Sequence, residues 1–143
     1  MDPFSLATGI AGLISFAAAL ASPLIEIARN YREARESYQR LASELAAMSN
    51  TLSLLQGHIA TQGVQTPAVL FLHEPVDQCR ATLEKIQAEC LPPVVQTSKL
   101  RRLAWVYTDE RRVNEFIARL ERYKTMFTLA LQVDLSSVSF GAD

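Results

Sequence analysis

The first 25 residues contain one charged residue, Asp2, and residues 3–25 form an uninterrupted uncharged run. A run of this length and apolarity is able to cross a bilayer, for which about 20 residues suffice. Three interpretations are open. The small residues around Ala19 fit a signal-peptide cleavage site, but Asp2 stands where a secretory signal carries lysine or arginine. The others are a helix buried inside a bundle and a helix that leaves the bundle for a membrane, and these two are compatible.

The pattern inside the run favours a packed helix. Apolar residues recur in steps of four and three, which places them on one helix face; they are Leu6, Ile10, Leu13, Ala17, Leu20 and Leu24. We predict membrane insertion through the larger side chains: Phe4, Leu6, Ile10, Leu13, Ile14, Phe16 and Leu20. Small residues recur every four positions on another face and let a neighbouring helix approach closely; these are Ala7, Ala11, Ser15 and Ala19.

The prolines predict where helices begin and end. Ser22 followed by Pro23 is typical of an N-cap and the first helical turn, so we place a break near Ser22 and start a second helix there. Ten apolar residues then step 4-3 from Ile27 to Ile59, a heptad seam that predicts one rod of about 55 Å. Its other face carries opposite charges four residues apart, such as Arg40 and Glu44, which indicates a solvated face.

Further breaks are predicted at 63–67 and at the proline pair 92–93. Strand patterns are almost absent. The sequence therefore predicts an all-α, elongated bundle of four main helices, one of them kinked or broken, with an apolar N-terminal helix. We assign residues 1–134 to this single domain and 135–143 to a short, loose C-terminal tail.

Composition and motifs argue against catalysis. The net charge is −1 with 20% charged residues, which gives no basic field for nucleic acid. Phosphate-binding loops and the HExxH and GxSxG motifs do not occur. The possible metal ligands His58, His73, Cys79 and Cys90 match no metal-module spacing, and we interpret both cysteines as core thiols. We expect no enzyme activity, no cofactor and no bound metal.

A basic stretch precedes the last helix. Lys99, Arg101 and Arg102 lie close to Trp105 and Tyr107. Basic residues interleaved with aromatic residues occur in solvated loops, in contacts with anionic lipid and in nucleic-acid interfaces. We take Lys99, Arg101 and Arg102 as candidate contacts to anionic membrane lipids.

Two segments are familiar. The opening MDPFSLATGIAGLI, residues 1–14, and the closing helix LERYKTMFTLALQ, residues 120–132, resemble fungal HeLo-like domains. These are N-terminal domains of fungal NLR/STAND receptors and of related cell-death effectors. The resemblance spans about residues 1–134, and the basic piece with Trp105 is similar too. The break at Ser22 is sharper than this family leads one to expect.

The resemblance implies a helical bundle that executes regulated cell death, as in heterokaryon incompatibility and fungal innate immunity. It implies a cytoplasmic domain that relocates to the plasma membrane, self-associates and permeabilises the bilayer through its first helix. The implied trigger is clustering by a regulatory NLR or by an amyloid-signalling partner. Neither a nucleotide-binding domain nor an amyloid motif fits into residues 135–143, so we expect an excised effector domain. The alternative is a signalling module that recruits a partner helix, for instance along the heptad seam, without a membrane step.

Overall fold

A computed structural model of the chain describes residues 3–30, 35–62, 71–91 and 110–141, with side chains for 6–30, 36–61, 71–91 and 110–132. These residues form four helices and no strand: α1 (Pro3–Asn30), α2 (Arg35–Gln62), α3 (His73–Cys90) and α4 (Glu110–Gly141). The prediction of an all-α bundle with four main helices is confirmed. The 28 residues of α1 and of α2 rise about 42 Å, so the bundle is elongated.

Each helix packs against two others. α1 lies on α2, α2 on α4, α4 on α3 and α3 on α1, which closes a four-sided bundle. Only four residues separate α1 from α2, and such a short connection makes neighbouring helices antiparallel. α3 and α4 are also antiparallel, because Thr82 pairs with Tyr123 and Glu89, further along α3, pairs with the earlier Arg112.

The heptad seam is the core of the bundle. Its described members are at most 9% exposed: Ile27, Tyr38, Leu41, Leu45, Met48, Leu52, Leu55 and Ile59. Tyr31 and Ala34 lie outside the residues whose side chains are described. Because α2 packs between α1 and α4, these side chains contact the protein's own helices.

The predicted break near Ser22 is wrong. α1 continues through Pro23 to Asn30, and the rod expected from Pro23 to Ile59 is two helices, α1 and α2. Proline in a helix interior costs about 3 kcal/mol because it removes one hydrogen bond. The carbonyl group that loses its partner belongs to Ala19, an exposed position where water is available. On the opposite side the buried stripe continues through Leu20 and Leu24, and this packing outweighs the lost bond.

The other proline positions behave as expected. α2 ends at Gln62, just before 63–67, and α3 ends at Cys90, just before the proline pair. Leu91 is extended, with φ −115° and ψ 136°, the conformation that a residue before proline prefers. α4 begins at Glu110 and continues to Gly141, so the segment expected to be a loose tail is helical as far as that residue. The domain boundary at 134 stays a prediction.

Candidate membrane-insertion helix

One face of α1 is completely buried. The six residues of the predicted stripe are at most 2% exposed: Leu6, Ile10, Leu13, Ala17, Leu20 and Leu24. Ile14 and Phe16 are half-buried and pack against the same core. The side chain of Phe4 lies outside the described set. In this state the bundle therefore covers most of the apolar surface that we assign to membrane insertion.

The outer face of α1 carries small side chains. Its exposed residues between 6 and 24 are Thr8, Ser15, Ala18, Ala19 and Ser22. The predicted small-residue face is divided between two environments, because Ala7 and Ala11 are half-buried whereas Ser15 and Ala19 are exposed. Solvent thus meets hydroxyl and methyl groups along α1, and the first charged side chain on this helix is Glu26.

The close approach to a neighbouring helix occurs at two glycines. A Cβ atom on Gly9 would lie 3.2 Å from Cγ1 of Val76, and one on Gly12 would lie 3.1 Å from Nη2 of Arg80. Both neighbours belong to α3, so the glycines allow α3 to pack closely on α1. The sequence analysis assigns the close approach to the small-residue face of Ala7, Ala11, Ser15 and Ala19 and not to the glycines. Two glycines three residues apart were the available signal.

The ion pairs between helices in the described part of the chain join α4 to α2 or α3. Arg112 donates from Nε and Nη2 to the two carboxylate oxygens of Glu89, at 2.8 and 3.0 Å. Lys124 Nζ lies 2.9 Å from Glu44 Oε1, and Arg40 Nη2 lies 3.9 Å from a carboxylate oxygen of Glu110. The described contacts between α1 and α2 include apolar packing and a long hydrogen bond.

That hydrogen bond runs from Ser49 Oγ to the carbonyl oxygen of Ile14 at 3.5 Å, the outer limit for such a contact. By comparison, Arg40 donates to Asn114 Oδ1 at 2.7 Å. The expectation that Arg40 and Glu44 form a solvated face is therefore incomplete, because both also reach across to α4.

Arg112 links α3 and α4 most strongly. It also pairs with Glu115 at 3.0 Å, and its guanidinium carbon lies 4.7 Å from the centre of the Phe116 ring. The hydrogen bond from Arg112 lowers the pKa of Glu89, and the two carboxylates raise the pKa of Arg112.

The four residues considered for metal binding lie on α2 and α3. Cys79 and Cys90 are fully buried, and burial raises the pKa of each thiol to about 12, as expected for core thiols. His58 is 8% exposed, and both ring nitrogens of His73 are buried without a described partner. Within the described ranges no three metal-binding side chains come together.

The structure does not describe the basic stretch that precedes the last helix. Lys99, Arg101 and Arg102 lie outside the described residues, as do Trp105 and Tyr107. Their contact with anionic lipid stays a prediction.

The described helices define an all-α bundle domain whose first helix is apolar and buries one face. The chain belongs to the family described as pigment biosynthesis cluster protein PigL N-terminal, whose model matches residues 1–140. That family is related to the fungal HeLo-like domains, so the resemblance is confirmed at the level of a related family and not as a direct HeLo-like match. No curated protein and no solved structure matches the chain.

Proposed function

We propose that this chain is the N-terminal effector domain of a fungal cell-death or innate-immunity protein. The family match supports the coarser part, a fungal N-terminal effector-like domain. In the finer part, the domain rests in the cytoplasm and relocates to the plasma membrane when a regulatory NLR or an amyloid-signalling partner clusters it. It then self-associates, binds anionic lipids and permeabilises the bilayer through α1, without enzyme activity, cofactor or nucleic acid.

The observation that carries this proposal is that α1 is apolar over a membrane-spanning length and exposes no charged side chain between residues 6 and 24. Leu6–Asn30 has a window of mean hydropathy 1.9, long and apolar enough for a membrane span, and 33% of that window is buried. A core helix of a soluble protein passes the same test of length and hydropathy, so the uncharged exposed positions are what sets α1 apart from α2 and α4, which expose Glu36 and Glu121. A signal sequence passes as well, and Asp2 ahead of the run argues against it.

The continuation of α1 through Pro23 makes spanning easier than the sequence predicts. With a break at Ser22 the regular helix is too short and needs a thinned bilayer. The observed helix includes all of residues 3–25, which rise about 34 Å against a hydrocarbon core of about 30 Å. A single α1 therefore has the length to cross.

Insertion requires α1 to leave α2 and α3. Its buried leucines and isoleucines then contact lipid instead of the core, so the apolar surface that they keep away from water changes little. The ion pairs of Arg112 and Lys124 remain intact, because they join α4 to α3 and α2. These ion pairs thus persist while α1 moves, and the long hydrogen bond from Ser49 to Ile14 is lost.

The sharpest test places a charge on the outer face of α1. Ser15 is exposed in the bundle and lies at the middle of the uncharged run, so Ser15→Asp leaves the core intact. A charge at the centre of a membrane helix costs about 2.5–3.5 kcal/mol per copy. We expect Ser15→Asp to abolish dye leakage from anionic liposomes and to abolish cell killing.

Two controls accompany this variant. Ser15→Asn has nearly the same shape without the charge and should retain leakage, and Ser53→Asp adds the same charge at an exposed position of α2 and should retain it too. Circular dichroism and melting must show all three variants folded. Full leakage and killing by folded Ser15→Asp would refute membrane insertion.

The alternative, a module that recruits a partner helix, relies on a free heptad seam. That seam is buried between α1, α2 and α4, so a partner helix would have to displace part of the bundle. The alternative keeps one clear prediction: Ser15→Asp would leave signalling in cells intact.

A further inference from the structure

An open cleft of about 430 Å³ lies between α3 and α4, away from the inner face of α1. Three cations line it: Lys85 from α3, and Arg119 and Arg122 from α4. The hydroxyls of Thr82 and Tyr123, 3.1 Å apart, line it as well. Among the described residues, no carboxylate contributes to this lining.

None of the three cations forms an ion pair within 4 Å among the described residues. The carboxylates of Glu89 and Glu115, toward the start of α4, are both bound by Arg112 at 2.8 and 3.0 Å. Lys85 and Arg119 still contribute, after Arg112, to the lowered pKa of Glu89, so their positive field extends along the groove. Like charges that share a cleft without a counterion repel one another, and a bound anion removes that repulsion.

The donors suit phosphate. A guanidinium group presents a planar fork that matches two phosphate oxygens, and an ammonium group adds a compact positive charge. The two hydroxyls are already bonded, because Thr82 donates to the carbonyl oxygen of Gln78 and Tyr123 then donates to Thr82, so the recognition of phosphate rests on the three cations. We propose that the cleft at Lys85, Arg119 and Arg122 binds a phosphorylated anion.

The surface next to the cleft favours a lipid headgroup as the source of that phosphate. Arg119, Arg122, Met126 and Leu129 step 3-4-3 along α4 and therefore share one face. Met126 lines the cleft and is 43% exposed, and Leu129 is 54% exposed. Cations followed by exposed apolar side chains are typical of a surface that lies at the lipid interface. The assignment to lipid rests on the proposed function, whereas the phosphate site does not.

The experiment compares two double variants of the full chain with equal charge change. Arg119→Gln/Arg122→Gln neutralises two cations of the cleft, and Arg80→Gln/Arg111→Gln neutralises two exposed cations that lie outside the cleft and outside α1. The probes are phosphatidylcholine vesicles containing phosphatidylinositol bisphosphate, and free inositol trisphosphate. Each charge near an anionic surface changes affinity about five-fold, so we expect about a 30-fold loss for the cleft variant and a far smaller loss for its control.

A third variant distinguishes a lipid headgroup from a free phosphate compound as the source of the bound phosphate. Met126→Ser/Leu129→Ser should weaken vesicle binding and leave inositol trisphosphate binding unchanged if the ligand is a lipid headgroup. The lipid assignment would be overturned if inositol trisphosphate bound as tightly as the vesicles and the serine pair changed the binding of neither probe. The ligand would then be a free phosphate compound.

Equal affinity losses in the two double variants, or no loss in the cleft variant, would overturn the phosphate site, provided melting shows every variant folded. The failure of the site and that of the proposed function remain distinguishable. Ser15→Asp should still bind the vesicles while failing to permeabilise them. If the cleft variant binds vesicles as well as the unsubstituted protein, the proposed phosphate site is refuted. The proposal that α1 inserts into the membrane is unaffected by that result.

Discussion

Truncating Leu13 tests whether α1 opens as a unit separate from the other helices. Leu13 is 0% exposed and lies midway along the buried stripe of α1. Leu→Ala at such a position costs about 2–5 kcal/mol, through lost burial and the cavity left behind. Because the described ion pairs between helices join α4 to α2 and α3, we expect this cost to fall on the docking of α1.

Native-state hydrogen exchange measures the free energy of opening separately for the amides of each helix. A loss of 2–5 kcal/mol in docking raises the opening constant about 30-fold to several thousand-fold, since each 1.4 kcal/mol is a factor of ten. We expect Leu13→Ala to accelerate exchange of α1 amides by this factor and to change the α3 and α4 amides much less. Ile25→Ala is the control on the same helix, since Ile25 is 43% exposed and its truncation should cost less than about 1 kcal/mol.

Equal acceleration in all four helices would refute the reasoning, because it would mean that α1 opens only when the whole bundle unfolds. A comparison with Leu45→Ala calibrates that outcome. Leu45 is also 0% exposed, but it belongs to α2, which packs on both α1 and α4. Its truncation should destabilise the entire bundle.

Two further predictions concern stability. Gly57→Ala should stabilise the fold by about 0.5–1 kcal/mol in denaturant melts, because nothing lies within 4 Å of the added Cβ. Gly9→Ala should raise the free energy of unfolding less or lower it, since its Cβ would lie 3.2 Å from Cγ1 of Val76. An equal gain in both variants would contradict the close packing of α3 on α1. Glu89→Gln should lower the melting temperature at neutral pH. Because Arg112 lowers the pKa of Glu89, the difference should shrink as the pH falls below the ordinary glutamate value of about 4.3, and a constant difference at all pH values would contradict the pairing.

The parts of the fold predicted from sequence are those set by local periodicity. The stripe from Leu6 to Leu24 and the seam from Tyr38 to Ile59 are buried as the 4-3 stepping requires. Burying these stripes is the main driving force of the bundle, so the stepping determines which faces meet.

The missed features depend on the balance between local and tertiary effects. Pro23 is a strong local signal for a helix start, but continued packing at Leu20 and Leu24 outweighs its cost. The seam also carries no signal for the turn between α1 and α2, because the same stepping suits one rod or two packed helices.

No sequence pattern indicates the cleft at Lys85, Arg119 and Arg122, because its residues come together only in the tertiary structure. Lys85 and Arg119 are 34 positions apart, and nothing local relates them. Their proximity follows only from the antiparallel packing of α3 on α4. The prediction of lipid contact went instead to Lys99, Arg101 and Arg102, which are adjacent in the chain.

The outer face of α1 separates the proposed function from plain bundle formation. An ordinary amphipathic helix places charges toward solvent, as α2 and α4 do with Glu36 and Glu121. A charged outer face on α1 would prevent insertion, and a face of large apolar residues would promote aggregation. Ser15 and its exposed neighbours avoid both, because small hydroxyl groups are hydrated in water and can bond to the helix's own carbonyls in lipid. Folding alone gives no reason to exclude charge from the exposed positions of α1 between residues 6 and 24, whereas the use of this segment in both environments does.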